Sequence, residues 1–544
     1  MRGDGAMSGL GDLDGLVARA TELAAAWGVS AAAATTAGRE RSILRLFGVN
    51  GVDRTGRPLA AEVVNRWLAP DGRRLGGGIA LPFAVALVEY DLAPQELALE
   101  VAAGGIDLGF EAELLNERDR RSVAEAEAAR LAGFALDRID ANRTARRELV
   151  DLLGESPAPW VGTSLTEPSV GDAVDEAIAA ITAGADLVRA DVPIGSELAD
   201  RLAGAGLEVP RWRARADAGG RTRGDDEGAP TGSQRGLATL RGAVDEAAAE
   251  RGSYVRLATA TPALAAPEQA VVAGFERIDV VLSDAMTEIV ATGVDPDRAL
   301  ADHALAHAIV ARAGATLLIG AGPLAVGPDL ATGVPSDPAT RAGRALALQL
   351  LGVHLAIRDG IDPAQIVVDV LPSWVTAEPV AAARALAEVV VRRALIPEHP
   401  TALVEPGEDA VDHERWFAIV AALMPHARST RLVMRRPGTA FARRVRAVRS
   451  AAGVASEIAG AQGDVVLDGV ALSHARATIE VAIRTLDALG SEGWRAVLGS
   501  AMVPTGASRL GADAVVERAE GADPFGALLA PDGERPTAAE ISRR

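Results

Sequence analysis

The chain has no cysteine and no lysine. Without thiols there is no disulfide, no thiolate metal site and no cysteine nucleophile. Without lysine, all 55 basic residues are arginine. No side chain can then form a Schiff base with a carbonyl substrate or with pyridoxal phosphate, because a guanidinium does not do that chemistry. Aromatic residues are 3% of the chain, which leaves few rings for stacking. Long apolar runs are missing too. The longest, "ALALQLLGVHLAI" at 345–357, is too short and too interrupted to span a bilayer. The opening "MRGDGAMSGLGDLDG" lacks the apolar core of a signal peptide, so a cytoplasmic protein with no membrane partner is expected. Positive charge is in deficit. A net charge of −19 repels phosphate backbones and argues against nucleic acid as a partner.

What is present is the balance of a soluble globular protein, 49% apolar and 24% charged over 544 residues, enough for several domains or one large barrel with attachments. Residues 8–150 read as helical. "LDGLVARATELAAAW", "AAEVVNRWL" and "RSVAEAEAARLAGFALDRIDANRTARRELVDLL" carry apolar residues three and four apart. "RERSILRLFGVNGVD" (39–53) reads as a helix closed by a glycine turn, with Asp53 behind it. From about 158 the rhythm changes to short apolar or β-branched runs at 159–165, 185–192, 254–259, 277–284, 316–322, 366–371, 401–407 and 430–438. Each is followed by room for a helix. Alternation of this kind predicts a parallel sheet, and eight repeats suit a closed (β/α)8 TIM barrel. An open doubly wound sheet shares the pattern, and "GLEVPRW" at 206–212 is a further strand candidate. The expected organisation is a helical N-terminal region (1–157), a barrel (158–450) and a helical C-terminal region (451–544).

In a barrel, function sits where the strands end. Those ends read Thr163-Ser164, Asp191, Thr259, Ser283-Asp284, Gly320–Gly322, Asp369, Glu405 and Arg435-Arg436. A pocket bordered by Thr163, Asp191, Thr259, Asp284 and Glu405 is therefore expected at that rim. The polar, Gly-rich stretch 213–236 is either an active-site loop or a disordered insertion. His303 and His307, four apart on one helix face, are either a metal pair or solvated helical histidines. The arginine run at 431–450 could grip a phosphate, but reads first as a solvated or intersubunit salt-bridge face.

Several stretches resemble one family in collinear order: "RERSILRLFGVNGVD" with "PLAAEVVNRWL", "AAGGIDLGFEAEL", "GADLVRADV", "GSYVRLATATPALAAPEQAVVAGFERIDVVLSDAM" and "GDVVLDGVALSHARATIEVAIRTLDALG". They resemble the α subunit of lysine 5,6-aminomutase and of its relatives acting on ornithine. The resemblance implies a TIM barrel with helical additions at both ends. It also implies a smaller β subunit that binds adenosylcobalamin and supplies the lysine holding pyridoxal phosphate, in a hetero-oligomer that shifts an amino group to the neighbouring carbon by radical chemistry. Lysine is then not needed on this chain, and the cobalamin signature Asp-x-His-x-x-Gly is absent from it.

By the same resemblance Asp284 matches the acid that contacts substrate at the fourth strand end, although an acid there also suits a helix cap. Ser233 and Gln234 fall in the loop that reaches the cofactor, or simply open a helix. Pro193 stands where the family grips the phosphate with arginine, with Arg189 nearby. Ala260 stands where an aromatic residue stacks on the pyridoxal ring, and Glu408 where a lysine meets substrate. These departures keep a second reading open: a non-catalytic paralogue serving as assembly or regulatory partner of a cobalamin-binding protein.

Overall fold

The computed structural model describes residues 10–52, 58–166, 169–190, 234–261, 266–283, 286, 289, 295–320, 337–370, 381–404, 423, 430–435, 441–461, 467, 469–494 and 515–526. Among the calls above, Asp53, Asp191, Pro193, Ser233, Asp284, Ala321, Gly322, Glu405, Glu408, Arg436, the 206–212 stretch and residues 213–233 of the 213–236 stretch lie outside them.

Eight short strands close a parallel barrel in chain order: β2 (Trp160–Ser164), β3 (Leu187–Ala190), β4 (Arg256–Ala260), β5 (Val280–Ser283), β6 (Thr316–Ile319), β7 (Ile366–Asp369), β8 (Thr401–Val404) and β9 (Thr430–Arg435). The last strand pairs with the first through Trp160↔Leu432 to Thr163↔Arg435, which closes the ring. Each strand lies inside a stretch read from the sequence, except that β4 runs one residue past 254–259, so the TIM barrel stands and the open sheet does not.

Strand alternation sorts the side chains into two cores. Trp160, Leu187, Ala258, Val280, Leu318, Val367, Ala402, Leu432 and Met434 fill the lumen. Their neighbours Val161, Val188, Leu257, Val281, Leu317, Val368, Leu403 and Val433 point outward and join one large cluster with the surrounding helices. At Gly162 the lumen is already full: an added Cβ would lie 2.5 Å from Met434 Sδ.

The N-terminal helices share that outer core. Leu13–Ala33, capped by Asp12, packs on the wall helices Pro296–Ala313 and Pro338–Arg358 and on the C-terminal helix Gly469–Glu492. The long Arg118–Leu153 helix finishes the ends of two wall helices. Asn142 Nδ2 donates to Phe275 O (2.7 Å) and Arg146 Nη1 to Ala313 O (2.7 Å), satisfying carbonyls that a helix C-terminus leaves open. The 39–53 turn is as expected. Val49 N bonds Leu44 O and Gly48 N bonds Arg45 O, each at 2.9 Å, with Gly48 at φ +100°. That is a Schellman closure, in which the left-handed position favours glycine.

One feature departs from the all-helical reading of the two ends. β1 (Ala34–Thr36) pairs antiparallel with β10 (Val515–Glu517), tying the N-terminal region to the far end of the chain. Arg39 and Arg518 both reach buried Asp523 beside this pair, each at 2.5 Å.

Candidate active site at the carboxyl mouth of the barrel

The lumen residues fix what faces the carboxyl mouth, because the side chain two positions on from a lumen residue faces the same way. That rule puts Ser164, Arg189, Ala260, Leu282, Asp369 and Val404 in the uppermost described layer. Ser164 and Arg189 are direct neighbours across β2 and β3. Arg189 is half-buried there. Asp369 is buried, and its carboxylate accepts a hydrogen bond from Val404 N (3.3 Å). Among the described residues the mouth thus offers one guanidinium, one hydroxyl and one carboxylate over an apolar floor.

The expected rim is only partly of this kind. Thr163 and Thr259 are buried and face outward, into the helical layer. Thr259 Oγ1 accepts from Gln269 Nε2 at 3.2 Å, so neither threonine borders the lumen. Both stand near strand ends. The physical correction is the two-residue alternation, which sends them to the wrong face. Gln234 opens the Gln234–Arg251 helix, and its Nε2 donates to Glu276 Oε1 (2.9 Å). Glu276 lies just before β5, on the side of the barrel where strands begin.

The two histidines are not solvated. His303 and His307 are buried, their rings edge to face at 5.9 Å. They border a cavity of about 20 Å3 behind the ends of β5 and β6, with Ser283, Gly320 and Gln349; that is room for one water. His303 Nδ1 bonds Ala299 O (2.7 Å) and His307 Nδ1 bonds Asp359 Oδ2 (2.8 Å). Burial, reinforced by His307, pushes the His303 pKa down to about 4, so its ring is neutral and donates to the carbonyl. Among the described residues no group of three or more metal-ligating side chains converges here or elsewhere.

The arginine run is not simply a solvated face. Arg449 reaches fully buried Asp186 at 3.0 Å, and Arg431 Nη1 donates to Ala364 O at 2.9 Å.

A guanidinium beside a hydroxyl is a donor set for a phosphate or carboxylate. A flat ring needs a stacking face, and none of the uppermost lumen residues among those described is aromatic. The mouth therefore fits the phosphate of pyridoxal phosphate without fitting its ring by stacking.

A family model described as the D-lysine 5,6-aminomutase TIM-barrel domain of the alpha subunit matches residues 14–407. The lysine 5,6-aminomutase alpha subunit of Fusobacterium nucleatum subsp. nucleatum is 29% identical over 322 residues, 57% of this chain and 56% of that one. That of Acetoanaerobium sticklandii is 28% identical over 286 residues, 53% and 51%. The matches span a little over half the length of these relatives. Among solved structures, a dihydropteroate synthase from Anaplasma phagocytophilum superposes with a TM-score of 0.33 at 13% identity, over 56% of this chain and 100% of that one. So distant a likeness says nothing of the chemistry here. By the extent of the family match, the chain belongs to the lysine 5,6-aminomutase alpha-subunit family, as a divergent member.

Proposed function

We propose that this chain is the barrel half of an adenosylcobalamin- and pyridoxal-phosphate-dependent aminomutase. It would act in the cytoplasm on lysine or a related diamino acid, paired with a smaller cobalamin-binding β subunit. The observation that carries the reading is the carboxyl mouth itself: a half-buried guanidinium in a closed barrel, on a chain that has no amine side chain to tether an aldehyde cofactor. The cofactors, both held mainly by the partner, supply the radical and electron-withdrawing chemistry of the amino shift. This chain's share is to bind, orient and enclose. Arg189 takes the phosphate, and Asp284 accepts the substrate ammonium. Ser233 and Gln234 would reach the cofactor only if their segment moved away from the amino-terminal side of the barrel, where Gln234 bonds Glu276.

A charge-assisted contact of the kind assigned to Asp284 is worth about 2 to 3 kcal/mol once desolvated. Asp284→Asn, measured in the complex with its partner subunit, is expected to weaken amino-acid binding by about one to two orders of magnitude and to leave the unfolding midpoint unchanged. Normal binding and turnover by that variant would refute the assignment.

One observation favours the scaffold alternative. Ala260 is half-buried at the mouth where the resemblance implies an aromatic ring. If no diamino acid binds the unmutated complex, the chain is an assembly or regulatory partner instead.

A further inference from the structure

The opposite mouth of the barrel, where the strands begin, holds an unbalanced cluster of charge around a cavity of about 570 Å3. Its carboxylate in the centre is already used. Asp279 is buried and accepts from Arg241 Nη1 (2.8 Å), Tyr254 OH (2.7 Å) and Leu257 N (2.8 Å), with Arg146 Nε at 2.9 Å. Burial raises its pKa, and Arg241 and Arg146 with these hydrogen bonds more than reverse the effect, so it stays ionised below the ordinary value.

Arg256 has no such completeness. It opens β4 two residues before the lumen residue Ala258, and it is 5% exposed. Its guanidinium lies flat on Trp160, 3.5 Å from the ring centroid. Its Nη2 reaches Glu155, a carboxylate that is 57% exposed. Its Nη1 is buried without a hydrogen-bond partner. Arg431, also on this cavity, brings a second guanidinium over the same indole at 5.8 Å. Its Nη1 donates to Ala364 O, and no carboxylate lies within 4 Å of it among the described residues. Burial lowers the pKa of both arginines, against the opposing pull of Asp279, Glu155 and Asp186 on Arg256 and of Glu155 on Arg431.

A water molecule could satisfy Arg256 Nη1, but it would not neutralise two guanidiniums converging on one ring. We propose that the amino-terminal mouth of the barrel is a binding site for a small oxyanion, the phosphate or carboxylate group of a solute, held between Arg256 Nη1 and Arg431 above Trp160. The site lies at the far end of the lumen from Arg189 and Asp369. A ligand there can be bound together with cofactor and substrate, and it stiffens the start of β2, β4 and β9 together.

Isothermal titration of the full chain with inorganic phosphate, at fixed ionic strength balanced with chloride, tests this. One equivalent is expected to bind. Arg431→Gln, a half-buried position, is expected to weaken it about tenfold, the loss of one charge-assisted hydrogen bond. Arg256→Gln should do the same if it folds; Arg431→Gln carries the test if it does not. Arg189→Gln is the control for phosphate taken at the other mouth. Competition by acetate assigns a carboxylate ligand, and its absence a phosphate or sulfate. No binding at millimolar phosphate overturns the proposal. So does binding that survives Arg431→Gln, or that is lost in Arg189→Gln.

Discussion

Two buried groups on different elements should titrate against each other, and removing either exposes the other. His303, buried in the Pro296–Ala313 helix, has its pKa pushed down to about 4. Glu40, buried beside β1, accepts from Thr35 Oγ1 and Ile79 N, both at 2.6 Å. Burial nevertheless raises it to about 7. The signs are opposite. For His303 the unfolded chain takes up a proton below the ordinary 6.5 that the native ring refuses until about 4, so stability is lost as pH falls through that window. For Glu40 the native carboxyl keeps its proton up to about 7 while the unfolded one releases it near 4.5, so stability is lost as pH rises through that window. Each native value lies about two and a half pH units from its ordinary one, worth about 3 kcal/mol at ~1.36 kcal/mol per unit. Between pH 4.5 and 6.5 the two slopes cancel. Glu40→Gln should therefore leave a protein that gains about 3 kcal/mol, relative to wild type, as pH rises from 4.5 to 7. His303→Leu should lose a similar amount, relative to wild type, as pH rises from 4 to 6.5. The assay is the urea midpoint at half-unit pH steps for the three proteins. All other titrating groups are common to them, so the difference curves isolate these two. Difference curves that are flat would refute the reasoning, by showing that neither group changes its proton affinity on folding.

Four further outcomes rest on the packing and the composition. Gly343 faces the C-terminal helix so closely that an added Cβ would lie 2.5 Å from Val481 Cβ and 2.7 Å from Thr478 O; Gly343→Ala should cost about 1 to 3 kcal/mol in urea unfolding. Gly453→Ala, which meets open space in the Phe441–Ala461 helix, should stabilise by about 0.5 to 1 kcal/mol. Asp186 is fully buried between Val161 N, Arg251 and Arg449. Asp186→Asn should destabilise by about 3 kcal/mol, because it leaves two guanidiniums facing a neutral group. Borohydride reduction of the isolated chain with pyridoxal phosphate should leave no internal pyridoxyl adduct by peptide mass mapping, since there is no lysine to carry one; a label on an internal residue would contradict this.

The barrel was legible because each strand is a short apolar run bounded by helix-length segments, and local pattern suffices to find such runs. The β1–β10 pair was not, since two three-residue strands separated by most of the chain carry no periodicity. The histidine reading failed for a related reason. The Pro296–Ala313 helix is buried on almost every face, with His303, Ala306, His307 and Val310 all inside, so a pair four apart does not mark a solvated side.

At the two mouths the legible and the illegible follow from one geometric fact. Sequence finds where a strand ends, but a one-residue error in register moves a side chain from the lumen to the helical layer. Thr163 and Thr259 were misplaced that way. Arg189, which the resemblance singles out only through its nearness to Pro193, is the residue that alternation delivers to the lumen beside Ser164. The same alternation brings Arg256 inward below Ala258, where the sequence shows only one charged residue at the start of an apolar run. A guanidinium in that position faces no water across a wide front, so it must find its counter-charge within the lumen. With Asp279 fully engaged and Glu155, the partner of Nη2, largely exposed, Nη1 is left without a partner among the described residues, the place the proposed oxyanion would take. The barrel therefore presents a guanidinium at each end of one lumen, Arg189 at the carboxyl mouth and Arg256 at the amino mouth.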